Sequence, residues 1–273
     1  MTIFLSRHAQ SEGNADPLAY GRLGDANVGL TETGWRQASR AGAFLAPYLQ
    51  EQGFTTWPRL WSSSFLRPRQ TLRGILHGMD GLHTLTGVPE VFEDPNLIEQ
   101  SYGWLPYGLD LLQHQELQVF PDARVQEFSQ MLQAFSKVVY GHTKFTAQPA
   151  MGESPMQVSL RVRDFMSTLW RDLNAGVKDH LIVTHGATIK ALILRSFHLP
   201  MSAWDDLKTP GNADIFRIDQ DPVSGQLTGI RQIYDGEAGV AVDLNPIAGI
   251  RPRGLEDLPA VPDFLRNSGL SRS

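Results

Sequence analysis

Short apolar runs alternate with amphipathic helical stretches along this chain, and few architectures accommodate that order. Thr2-Ile3-Phe4-Leu5 opens the sequence as a β-rich run, Arg59-Leu60-Trp61 is a second and His180-Leu181-Ile182-Val183 a third. Between them, Thr31 stands as the N-cap of a helix in which Trp35, Ala38, Gly42, Leu45 and Leu49 recur at helical spacing before Gly53. Ser154-Pro155 is a second helix start, with Val162, Phe165, Met166, Leu169, Trp170 and Leu173 on one face. The spacing predicts a further helix over 188–197, and strands over 213–218 and 227–233 around a turn at 221–225. Strands that alternate with helices predict an α/β fold, a three-layer sandwich with a mostly parallel central sheet flanked by helices.

The polar segments that follow the strands carry the chemistry. Ser6-Arg7-His8-Ala9-Gln10-Ser11-Glu12-Gly13-Asn14 comes directly after the first run. Ligands of open α/β sheets bind beyond the carboxyl ends of strands, which is where Arg7 and His8 fall. A guanidinium presents a planar fork of donors to phosphate oxygens, and a neighbouring imidazole is a nucleophile at neutral pH. Taken alone, the nonapeptide reads equally as a polar strand-to-helix turn. Three more segments join it: Ser62-Ser63-Ser64-Phe65-Leu66-Arg67-Pro68-Arg69-Gln70-Thr71, Leu97-Ile98-Glu99-Gln100-Ser101-Tyr102-Gly103, and His180 to Gly186 with a second histidine, His185, after its strand. Glu99 falls there between an expected strand and a glycine.

These four motifs, in this order, resemble the histidine phosphatase superfamily, the clan of cofactor-dependent phosphoglycerate mutases and many phosphatases. The resemblance runs from Thr2 to about Phe216. It implies a phosphoglycerate mutase-like fold, with His8 as nucleophile, Glu99 as general acid and base, and Arg7, Arg67 and His185 around the phosphate. Asn14 matches the asparagine that closes the pocket, and Gly186 and Tyr20 join the substrate-binding set. Arg22 and Trp104 are further candidates for the cavity wall. Arg69 reads as an exposed helix residue, and the histidines at 77, 83, 114, 142, 180 and 198 as non-catalytic. No cofactor and no metal are called for. The implied partner is a small-molecule phosphate monoester, with no nucleic acid and no membrane, and a homodimer is left open.

Three positions depart from the family pattern. Ala9 stands where glycine is usual, which is harmless only if φ there is negative. Ile98 replaces an arginine common before the acid/base glutamate, and Gly13 replaces the tryptophan typical of mutases. Residues 1–243 read as one histidine phosphatase domain, with a helical insert at about 104–149 over the carboxyl edge of the sheet and a proline-containing tail at 244–273. The insert has only Arg124, Lys137 and Lys144 as bases against Asp110, Glu116, Asp122 and Glu127. That balance favours a phosphatase over a mutase and suggests a monophosphate on a neutral, partly apolar or sugar-like body.

Composition removes other classes. The chain has no cysteine, which excludes disulfides, thiolate zinc sites and cysteine nucleophiles. A formal charge of −5 without a basic stripe argues against nucleic acid or an anionic membrane. No apolar stretch approaches the ~18 residues that span a bilayer, and no signal-peptide core precedes the first strand, so a cytoplasmic protein is expected. His-Glu-x-x-His, Gly-x-Ser-x-Gly and Gly-x4-Gly-Lys are all missing, against metallohydrolases, serine hydrolases and P-loop kinases. A non-catalytic binding protein of the same fold is the remaining alternative, disfavoured because every reacting side chain is present.

Overall fold

In the computed structural model, β1 (Thr2–Arg7) lies inside a seven-stranded sheet of order β3-β2-β4-β1-β5-β6-β7. The structure describes residues 1–103, 127, 131, 134, 144–149, 151–221, 223–250 and 252. The predicted insert and tail lie largely outside them. β2 (Arg59–Ser63), β3 (Val91–Asp94) and β4 (Asp179–Thr184) run parallel to β1. β5 (Ile215–Gln220), β6 (Leu227–Asp235) and β7 (Val240–Leu244) complete the sheet as an antiparallel meander. The expected sandwich is therefore found, with a parallel half that carries the motifs and an antiparallel edge.

Side chains alternate across each strand, and this fixes the layers. Phe4, Leu60, Leu181, Val183 and Ile215 pack beneath α3 (Glu32–Glu51) and α4 (Leu66–Met79). Ile3, Leu5, Trp61, Ile182 and Phe216 face the other way, against α5 (Pro155–Asn174) and α6 (Gly186–Ser196). Two short helices, α1 (Glu12–Ala15) and α2 (Leu18–Leu23), follow β1, and α7 (Ala203–Asp206) follows α6. α3 and α4 pack backbone to backbone: a Cβ on Gly42 would sit 2.0 Å from the Ile75 carbonyl oxygen, and one on Gly78 1.9 Å from that of Ser39.

The helix starts follow from capping. Thr31 Oγ1 accepts from the Gly34 N–H at 3.0 Å, and Ser154 forms a reciprocal capping box with Gln157 ahead of Pro155. β5 lies two residues later than the expected 213–218 and β6 runs two residues beyond 233, and two further differences bear on the site. α6 begins two residues earlier than predicted, at Gly186, because it is capped from another segment, described below. The strand expected just before Glu99 ends at Asp94, and Pro95–Leu97 form one 3₁₀ turn that lifts the chain out of the sheet. Among the described residues, no helix is long and apolar enough to cross a membrane.

Candidate active site

The carboxyl ends of β1, β2 and β4 converge on a cavity of about 310 Å³ lined by Arg7, His8, Tyr20, Arg67 and Glu99. β1 delivers the first two of these directly. The His8 N–H bonds the Thr184 carbonyl at 2.8 Å, extending the β1–β4 register to the start of the loop. The His8 ring is buried, and its Nδ1 lies 2.8 Å from the Ala9 carbonyl oxygen. A carbonyl only accepts, so Nδ1 carries the hydrogen and Nε2 holds the lone pair. Burial, then the Arg67 and Arg7 charges, hold the His8 pKa well below the usual imidazole range. The ring is neutral at pH 7.

Ala9 does not adopt positive φ; among the described residues the non-glycines that do are Met151, His198 and Ala213. Its N–H bonds Thr71 Oγ1 at 3.0 Å, so alanine costs this loop no strain. Opposite β1, the loop before β5 steadies the same residues. Asn212 Nδ2 donates to the His8 carbonyl at 3.1 Å, and Arg7 Nη1 donates to the Pro210 carbonyl at 2.7 Å.

Arg67 enters from the first turn of α4 and is only 1% exposed. Its Nη1 bonds the Asp25 carbonyl at 2.6 Å, while Nη2 pairs with the Asp25 carboxylate at 2.9 Å. The guanidinium also lies over two rings, 5.5 Å from the centre of Tyr20 and 5.2 Å from that of Phe65. Gly13 makes room for the first of these: a Cβ there would come within 2.2 Å of the Tyr20 ring. Glycine in place of the mutase tryptophan is thus tied to a tyrosine on the pocket wall.

Glu99 caps α6. Its Oε2 accepts from the Gly186 N–H at 3.1 Å, and its Oε1 from the N–H groups of Ala187 at 3.2 Å and Gln100 at 2.9 Å. The helix needs this cap because its own N-cap residue, His185, makes no side-chain cap bond. Burial pushes the Glu99 carboxyl up, against the pull of the Gln100 N–H, Arg67 and Arg7. Hydroxyls hold the preceding backbone: Thr184 Oγ1 donates to the Leu97 carbonyl and Thr188 Oγ1 to that of Ile98, both at 2.6 Å. From α5, Arg161 donates to the carbonyls of Asn96 at 2.6 Å and Glu99 at 3.1 Å and pairs with Glu153.

His185 sits beside His8, ring centroids 5.1 Å apart, with Nε2 3.0 Å from Ser63 Oγ. Its buried Nδ1 has no partner, and burial with the Arg67 charge lowers its pKa well below the usual value. The predicted residues therefore meet, with three exceptions. Asn14 does not line the cavity; it is exposed, and its Oδ1 accepts from the Ser11 N–H at 3.1 Å and from Asn212 Nδ2 at 3.0 Å, reaching His8 only through Asn212. Arg22 pairs with Asp16 at the surface, and Trp104 lies outside the described residues.

Sequence reasoning passed over Asp25, Gln100, Lys190, Trp204 and Thr209, which also line the cavity. Of these, only Lys190 left a trace, as the single charge in the apolar stretch Ala187 to Leu194. Among the described residues, no three His, Asp or Glu side chains cluster in a way that holds a metal ion.

A family model described as the histidine phosphatase superfamily (branch 1) matches residues 3–232. The phosphoglycerate mutase-like protein AT74 of Arabidopsis thaliana is 28% identical over 223 residues, 78% of this chain but only 63% of that relative's own length. A 2,3-bisphosphoglycerate-dependent phosphoglycerate mutase of Rhizobium etli is 31% identical over 192 residues, 70% of this chain and 78% of the relative. The solved alpha-ribazole phosphatase from Shigella flexneri shares the fold with a TM-score of 0.59 at 21% identity, covering 90% of this chain and 96% of that one. A mycobacterial glucosyl-3-phosphoglycerate phosphatase in complex with inorganic phosphate gives 0.56 at 20% identity, covering 88% and 99%.

Proposed function

This chain belongs to the histidine phosphatase superfamily (branch 1), and on that footing we propose that it hydrolyses phosphate monoesters through a phosphohistidine on His8. His8 Nε2 attacks phosphorus, the ester P–O bond breaks, and the departing alkoxide takes a proton from Glu99. The Glu99 carboxylate then removes a proton from water, which attacks phosphorus, releases His8 and leaves inorganic phosphate. Arg7 and Arg67 neutralise the equatorial oxygens in both steps, and His185 adds a hydrogen-bond donor. Oε2 is the oxygen suited to carry the proton. It accepts one backbone hydrogen bond where Oε1 accepts two, so it keeps a lone pair for the cavity.

One observation carries this proposal. The His8 ring has its Nδ1 hydrogen committed to Ala9 and its lone-pair nitrogen in a cavity that also receives two guanidiniums and a carboxyl. A purely structural histidine has no use for such neighbours. The test is hydrolysis of phenyl phosphate without added metal, together with quenching into alkaline denaturant during turnover. His8→Ala is expected to lose activity below detection, and the wild type to carry an acid-labile, base-stable phosphoryl group on His8. Full activity in the variant overturns the proposal.

A mutase-type phosphotransferase is the second reading, favoured by the Rhizobium etli relative. Phosphoryl exchange between phosphoglycerate isomers that depends on a bisphosphoglycerate primer and exceeds hydrolysis decides for it.

A further inference from the structure

The cavity continues past the phosphate-binding groups to Lys144, Lys190, Trp204 and Thr209. Lys190 projects from the second turn of α6, the helix that Glu99 caps. The residue is only 9% exposed, and its ammonium lies 4.5 Å from the centre of the Trp204 ring. Among the described residues it makes neither a hydrogen bond nor an ion pair. Asp205 is engaged by Lys144 at 3.7 Å, and no other described carboxylate pairs with it. Burial lowers the Lys190 pKa despite the opposing pull of Asp205.

A largely buried lysine with no ion pair among the described residues is unfavourable, and the Trp204 ring offsets only part of that cost. Among the described residues no anion accounts for this cation, and it shares a cavity with Arg7, His8, Arg67 and Glu99. At about 310 Å³, that cavity is large enough for more than a phosphate group.

We propose that Lys190, backed by Trp204, receives an anionic group on the alcohol half of the substrate, so that preferred substrates are phosphate monoesters whose alcohol bears a carboxylate or a second phosphate. The proposal rests on the phosphatase reading above and departs from the neutral body suggested by the acidic insert. Charge at the far end of the cavity comes from α6, which insert composition does not report.

Two probe pairs test it: 4-carboxyphenyl phosphate against phenyl phosphate, and propane-1,3-diol bisphosphate against propyl phosphate. Comparing each variant with wild type inside a pair cancels the leaving groups' own reactivity. Lys190→Met is expected to lose about tenfold more kcat/KM on the charged member than on its neutral partner, mainly through KM. Lys190→Arg should keep the preference within about threefold. The pair with the larger effect identifies the anion as carboxylate or phosphate. Equal losses on charged and neutral probes, in both pairs, overturn the proposal. Calorimetric binding of the same probes to His8→Ala protein separates this from failure of the chemistry. Tighter binding of the charged probe that Lys190→Met abolishes upholds the Lys190 site even without turnover, and uniform affinity rejects it.

Discussion

Burial withdraws water from both His8 and Glu99, and the outcome differs because one is charged when protonated and the other when deprotonated. The imidazole is held below its usual pKa and the carboxyl above its own. At neutral pH this leaves His8 with a free lone pair and enriches the acid form of Glu99, the pairing that the proposed phosphoryl transfer requires. The sign gives a bell-shaped profile. Rate falls at low pH as His8 gains a proton, beginning below the ordinary imidazole range, and falls at high pH as Glu99 loses one. Glu99→Gln is expected to remove the basic limb of kcat and to slow alkyl phosphates more than aryl phosphates, by about 10²-fold or greater for the poorer leaving group. Rate constants measured across pH for both classes check this; equal slowing of the two leaves Glu99 without an acid role. The Arg67–Asp25 pair belongs to the same scale. Asp25 holds the guanidinium from two sides, so Arg67 is oriented before any phosphate arrives.

Among the described elements, α6 has its start made by a side chain from another segment, the proposed acid and base Glu99. Glu99 lies 87 residues from Gly186 in sequence, yet it bonds the two first N–H groups of the helix. The acid/base group and the helix carrying Lys190 are thus built as one unit. α3 and α4 show a second kind of coupling. Their glycines allow helix backbones to touch, which brings Arg67 at the start of α4 to the end of β1. Gly78→Ala is expected to cost about 1–3 kcal/mol, since a methyl group would be driven into the Ser39 carbonyl. Denaturant unfolding should show a lower midpoint with unchanged slope. An unaltered midpoint would mean that the helices separate without cost.

For the whole molecule, a chain of formal charge −5 collects Arg7, Arg67, Lys144 and Lys190 in one cavity. The site joins segments from both ends of the parallel half-sheet, so an anion bound there ties them together. Inorganic phosphate at about a hundredfold its dissociation constant is expected to stabilise the fold by about 2.7 kcal/mol, raising Tm by roughly 5–10 °C. Arg67→Met should lose most of that rise in thermal unfolding scans, and an undiminished rise would place phosphate elsewhere. The sequence by itself determined the elements and the candidate groups, because strand alternation, Thr31 and Ser154 capping, and the polar segments after Leu5 and Val183 are all local signals. Ala9 and Ile98 were also visible as departures, though their consequences were not. Only the tertiary structure decided that Asp25 clamps Arg67, that Arg161 bonds the backbone of Glu99, that Asn14 reaches His8 through Asn212, and that Lys190 opens into the cavity. Each of these depends on distances between residues far apart in the chain, and no short-range pattern encodes a distance that is set only when two layers close on a sheet.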